Sequence, residues 1–168
     1  MAAAVTKGKI ARKYLAHYID SSIGGDSSEA TYVKLGKDLE EFNTEFNAEV
    51  ETKKNIWGEQ SVNISGYEAT DEVKPYYLEA DDPLSTKLIA MAHERPVLDD
   101  LKTTVVDVLV WKGAESTALE AFKEVCYIEL VSIGGDTTGT QTSFKLHRTG
   151  QITKGTFDTT TKKFSPAG

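Results

Sequence analysis

The stretch "EEFNTEFNAEVET", residues 40–52, alternates over its whole length. Even positions carry Phe42, Thr44, Phe46, Ala48, Val50 and Thr52, and odd positions carry Glu41, Asn43, Glu45, Asn47, Glu49 and Glu51. A strand turns successive side chains to opposite faces, so the pattern predicts one continuous strand with a core face and a polar, acidic face. At about 3.3 Å per residue, Glu41 to Glu51 spans roughly 33 Å, long for a strand. From Asp38 to Thr52 there are six acids and no base. A run of like charge is commonly a solvated face. Here the absence of Lys and Arg, together with the mutual repulsion of Glu41, Glu45, Glu49 and Glu51 on one side, favours a functional reason for the face.

Around this stretch most segments read as short strands. "YLAHYI" (14–19) and "TYVKL" (31–35) flank the first of two "SIGGD" sequences, at 22–26. "EVCYIELVSI" (124–133) and "TSFKLHR" (142–148) flank the second, at 132–136. "SVNISGYE" (61–68) is a further strand, "TTVVDVLVW" (103–111) is too apolar for a strand with one wet face, and "QITKGTFD" (151–158) follows a Thr-Gly turn. "DDPLSTKLIAMAHERP" (81–96) differs. Asp82 is an N-cap, Pro83 opens the first turn, Leu84, Leu88, Met91 and Ala92 recur at helical spacing, and Pro96 ends the segment. The expected fold is mainly β: a sandwich or barrel of antiparallel strands with one flanking α-helix at about 82–95.

The 168 residues fit a single domain, 1–168, with residues 1–13 as an N-terminal arm, flexible or interface-forming. Hydrophobic content of 39% and charged content of 27% are ordinary for a globular protein. No apolar run has the length of a signal peptide or a membrane span, which points to a product of the host cytoplasm without a membrane partner. The net charge of −7 is unevenly spread. Lys7, Lys9, Arg12 and Lys13 stand in the first 13 residues without an acid, and residues 145–163 are also basic. The two ends therefore hold about +8 and the middle about −15, a division that organises association or reflects solvated termini.

The sequence offers little catalytic chemistry. The SIGGD segments lack the phosphate-binding pattern of a P-loop and the ligand spacing of a calcium loop, and Gly24, Gly25, Gly134 and Gly135 are expected to turn corners. His17, His93 and His147 share no ligand spacing, with His93 suited to the helix C-terminus. Cys126, alone and in an apolar run, reads as a small buried hydrophobe. No nucleophile, metal site or cofactor is expected, and no basic, aromatic-interleaved patch suggests nucleic-acid reading. The segment 52–61, with Lys53, Lys54 and Trp57, is a candidate interface loop, in which Trp57 anchors a partner or caps the chain's own core.

The run "FNTEFNAEVETKKNIWGEQSVNISGYE", the Tyr-rich "VKPYYLEADDPLSTKL" and the terminal "GQITKGTFDTTTKKFSP" together resemble the major tail tube proteins of long-tailed bacteriophages and related prophages. The resemblance covers roughly residues 12–165, in order, and leaves "MAAAVTKGK" unmatched. It implies a β-sandwich subunit, six copies of which close into a ring whose inner strands form one barrel. Rings then stack into a hollow tube, more similar to the non-contractile branch, located in the virion and assembled in the bacterial cytoplasm. The implied partners are further copies, the tape measure protein in the lumen, tail terminator and tail tip proteins, and DNA that passes without specific binding. On this reading Glu41, Asn43, Glu45, Asn47, Glu49 and Glu51 line the lumen and weakly repel phosphates. Lys53, Lys54, Trp57, Lys7, Lys9, Arg12 and Lys13 are then candidates for contacts between subunits or rings. The rival class is a β-sandwich binding module for carbohydrate or peptide, which calls for a clustered aromatic platform, whereas Trp57 and Trp111 lie in different elements. An enzyme ranks below both.

Overall fold

The β-branched run at 102–109 sits at the centre of the molecule. In the computed structural model, which describes residues 4–25, 29–113 and 117–168, this run is buried on both faces. Val105 points into one apolar cluster, and Val106 and Val108 point into another. The elements in chain order are β1 (Leu15–Asp20), β2 (Tyr32–Leu35), β3 (Thr44–Glu45), β4 (Ala48–Lys54), β5 (Gln60–Tyr67) and β6 (Thr70–Tyr77). They continue with α1 (Pro83–Glu94), β7 (Lys102–Leu109), β8 (Leu119–Asp136), β9 (Gly139–Asp158) and β10 (Lys163–Pro166). Eight strands form one antiparallel sheet in the order β2-β1-β7-β8-β9-β6-β3, with β10 also on β9. β4 and β5 pair only with each other.

The sheet curls on itself. Ile19 of β1, Leu35 of β2, Val73 of β6, Cys126 and Ile128 of β8 and Phe144 of β9 meet in the larger cluster. Leu84, Leu88 and Met91 of α1 close it, each side chain contributing about 1.5–3 kcal/mol by leaving water. The architecture is thus mainly β, antiparallel and sandwich-like, with one flanking helix, as the strand pattern led us to expect. The helix begins as its residues dictate: Asp82 accepts from the Leu84 and Ser85 amides at 3.1 and 3.2 Å. Cys126 is fully buried, and burial raises its thiol pKa above the ordinary range.

Three sequence expectations fail, each for a local reason. The strand expected from 41 to 51 is not continuous: β3 ends at Glu45, and Asn47 takes a left-handed φ of 46° before β4 begins. Asn tolerates that conformation, and its side-chain amide satisfies the Glu68 carbonyl at 3.0 Å. The Thr149-Gly150 pair does not turn the chain. It is a bulge inside the 20-residue β9, where Gly150 (φ 83°) lets the register with β8 slip between Glu124 and Cys126. The second SIGGD is likewise strand, the end of β8, and the turn lies beyond it at Thr137-Thr138. The first SIGGD does turn: at Gly24 (φ 74°) a Cβ would lie 2.6 Å from the Asp100 carbonyl oxygen. Asp26 lies outside the described residues.

Candidate functional site: a projecting hairpin and the charged cluster at its root

Valine, isoleucine and threonine favour extended backbone, and Asn55 builds the turn that joins β4 to β5. Its side-chain oxygen accepts from the Trp57 and Glu59 amides, both at 3.0 Å. Strand register sorts the hairpin into two faces. Ala48 is opposite Tyr67, Val50 opposite Ile64 and Thr52 opposite Val62, which makes an apolar face. Glu51 is opposite Asn63 and Glu49 opposite Gly66, which makes a polar face. No described residue of the chain covers the apolar face. Every residue of β4 is exposed, and Phe46, Val50, Val62, Ile64 and Tyr67 are each 51% to 64% exposed. Phe46 and Tyr67 pack edge to face with centroids 6.3 Å apart.

The six residues expected on one acidic face are divided by the break at Asn47. Glu49 and Glu51 occupy the polar face of the hairpin, where Lys53 reaches back to Glu51 at 3.2 Å. Glu41, Asn43 and Glu45 instead border a polar cleft at the sheet edge, shared with Lys74, Lys145 and His147. Asn47 is the pivot between the two groups. The even positions divide as well: Phe42 is core, 7% exposed, whereas Phe46 and Val50 are on the open face. Trp57, at the hairpin tip, is 80% exposed beside Ile56 at 96%, so it does not cap the core formed by the described residues. Lys54 is exposed near the tip, and Lys7, Lys9 and Lys13 are exposed in the N-terminal segment. Arg12 is engaged internally, donating to the Leu15 carbonyl at 2.7 Å and the Phe42 carbonyl at 3.0 Å.

Where the hairpin leaves the body there is a groove of about 970 Å³, walled by Leu15, Phe42, Phe46, Tyr67, Phe122 and Ile152. Its floor is ionic, a feature that sequence reading missed. The Arg148 side chain, 4% exposed, donates to Asp71 and Asp107, each at 2.7 Å, and to Glu124 at 2.9 Å. Asp71 also accepts from the Thr44 hydroxyl, and Glu124 accepts from the Gly150 amide at 3.0 Å across the bulge. Burial raises the Asp71 pKa above the ordinary carboxylate range, against the pull of Arg148 and Thr44. At Asp107 burial also works upward, but hydrogen bonds from His17 and Arg148 outweigh it and the net shift is downward. Arg148 stays charged despite burial because Asp107, Asp71 and Glu124 surround it. A signal existed in the sequence: Asp107 stands alone in "TTVVDVLV", and an acid inside a doubly buried strand requires a cation.

Among the described residues no group of three His, Cys, Asp or Glu is placed to hold a metal ion, and no helix is long and apolar enough to cross a membrane. What the arrangement offers is an open two-faced ribbon on a rigid charged root. Comparison with known protein families finds none whose model matches the chain, and comparison with curated proteins finds none similar to it.

Proposed function

We propose that the chain is a structural subunit of a hollow tube of the bacteriophage tail-tube kind, self-assembling through the β4–β5 hairpin. The observation that carries this reading is the hairpin's uncovered apolar face. A two-stranded hairpin is marginal alone, and its two free edges are templates for further strands. Covering Phe46, Val50, Val62, Ile64 and Tyr67 would contribute about 1.5–3 kcal/mol for each fully buried side chain. Several copies in a closed ring satisfy both needs, burying the stripe and pairing the edges, which a closed barrel alone removes. Six copies per ring, stacked rings, and tape measure, terminator and tip proteins as partners belong to the same reading.

In such a ring the apolar face packs outward against the subunit bodies, and Glu49, Glu51 and Asn63 are directed to the lumen together with Lys53, whose charge is offset by its ion pair with Glu51. A carboxylate-bearing wall does not hold phosphates, so DNA slides through it, whereas a lysine-lined wall would bind and retard it. The lumen assignment is therefore kept for Glu49 and Glu51, on the hairpin. Ile56 and Trp57 at the tip are placed to reach an adjacent ring. Negative-stain microscopy of concentrated purified protein tests this function: rings or hollow tubes support it, and a monodisperse monomer overturns it.

One observation favours the rival binding module, namely the groove whose wall holds Phe42, Phe46 and Tyr67 together. A monomer that fails to assemble and binds an oligosaccharide or a peptide at Phe46 would support that class.

A further inference from the structure

The N-terminal segment meets the hairpin root at one imidazole, and is tied separately by the Val5 amide, which donates to the Trp111 carbonyl at 2.9 Å. Arg12 Nη2 lies 2.9 Å from His17 Nε2 and 3.0 Å from the Phe42 carbonyl oxygen, while His17 Nδ1 lies 2.6 Å from Asp107 Oδ1. A guanidinium donates and never accepts, so Nε2 carries the lone pair and Nδ1 carries the hydrogen that Asp107 accepts. This arrangement requires neutral His17. We propose that His17 is a pH-sensitive latch: neutral, it holds Arg12 and with it the turn 11–14 against the connection 39–43, and protonated, it expels Arg12.

The charges around the ring decide which partner yields. On β1 itself, His17 is 7% exposed, so little water reaches a new N–H. From the 3₁₀ turn Arg12–Tyr14 comes the Arg12 cation, and from β7 the Asp107 anion. Behind Asp107 stand Arg148 of β9, at 2.7 and 3.3 Å, and through it Glu124 of β8 and Asp71 of β6. The connection leading to β3 supplies the Phe42 aromatic face, its centroid 4.5 Å from the imidazole centroid, and the cleft beside the ring is bordered by Glu40 and Lys37 of that connection, Lys34 of β2, Lys13 and Lys162. Protonating Nε2 sets N–H against N–H and cation against cation. Asp107 stabilises the imidazolium and is itself locked by Arg148, whereas Arg12 is exposed and has solvent to move into. Arg12 therefore leaves, and the Phe42 carbonyl loses its donor. Histidine is the side chain whose charge change ordinarily falls between about pH 5 and 8, and the latch is tested across that window.

The latch is independent of what the hairpin assembles with. Hydrogen exchange on the wild-type monomer at pH 7.5 and 5.5, corrected for intrinsic rates, reads it directly. Protection of the Tyr14 and Leu39 amides, which are hydrogen-bonded within the two segments the latch joins, is expected to fall at least about fivefold at pH 5.5, with β7 unchanged. His17→Gln keeps a neutral acceptor and donor at both pH values and leaves His93 and His147 in place, and is expected to show no fall. Arg12→Met is expected to be open already at pH 7.5. Protection that does not change with pH in the wild type, or an equal fall in His17→Gln, overturns the latch. Should either variant fail to fold, nitrogen NMR of wild-type His17 decides: a proton on Nδ1 at pH 7.5 supports it, and a proton on Nε2 refutes it.

Discussion

Replacing Arg148 by methionine keeps most of the side-chain length and removes the guanidinium that compensates the buried carboxylates at the floor of the groove. Its guanidinium serves Asp71, Asp107 and Glu124, whose side chains are 0%, 23% and 9% exposed. Breaking a buried ion pair from one side costs about 3–5 kcal/mol, because the remaining charges stay desolvated. Three carboxylates share the loss here, so the upper part of that range is expected at pH 7. For a chain of this size each kcal/mol moves Tm by about 2–4 °C, which puts the drop at roughly 10–20 °C. The assay is thermal and urea unfolding at concentrations where the protein is monomeric. The pH dependence sharpens it. Asp107 is held below its ordinary pKa in the wild type, so its contribution is present above about pH 4 and is lost as pH falls through the folded value. In Arg148→Met the stranded carboxylates are raised instead, so they destabilise at neutral pH and the deficit shrinks as they take up protons. A loss below about 1 kcal/mol at pH 7, or a deficit that widens toward pH 4, would refute the claim that this cluster supports the hairpin root.

Three further outcomes are expected. Val50→Thr with Ile64→Thr should leave monomer stability within about 0.5 kcal/mol, since both residues are already exposed, yet abolish assembly in light scattering; assembly at the wild-type level would contradict the stripe's role. Glu49→Lys with Glu51→Lys should still give tubes but slow DNA passage in a phage carrying them, and unchanged infectivity would count against a lumen position. Asn47→Ala should cost about 1–2 kcal/mol in urea unfolding, through its left-handed φ of 46° and the lost bond to the Glu68 carbonyl, with Asn47→Gly recovering part of it.

The residues that spoke clearly in the sequence were those whose signal is local. Asp82 and Pro83 marked the helix start, and the density of valines at 103–110 announced a strand buried on both faces. Residues whose conformation depends on a neighbouring strand misled. Alternation through Asn47 looked unbroken because a left-handed residue changes backbone direction without changing composition. Thr149-Gly150 has the chemistry of a turn, but pairing with β8 on both sides held it as a bulge. β6 was not among the strands read from the sequence; it contains Pro75, which is accommodated where the register between Val73 and Tyr76 breaks. The charged cluster was hidden for a different reason. Asp71, Asp107, Glu124 and Arg148 come from four strands, and no spacing within one segment reveals a contact made across a sheet.

The measurement that bears most directly on the account is a helical reconstruction of the concentrated protein by electron cryomicroscopy. The expected result is a tube whose inner wall is built from the β4–β5 hairpins, with Glu49 and Glu51 on the bore and Val50, Ile64 and Tyr67 buried between copies. A particle that remains a monomer, or a tube carrying those carboxylates on its outer rim, would contradict it.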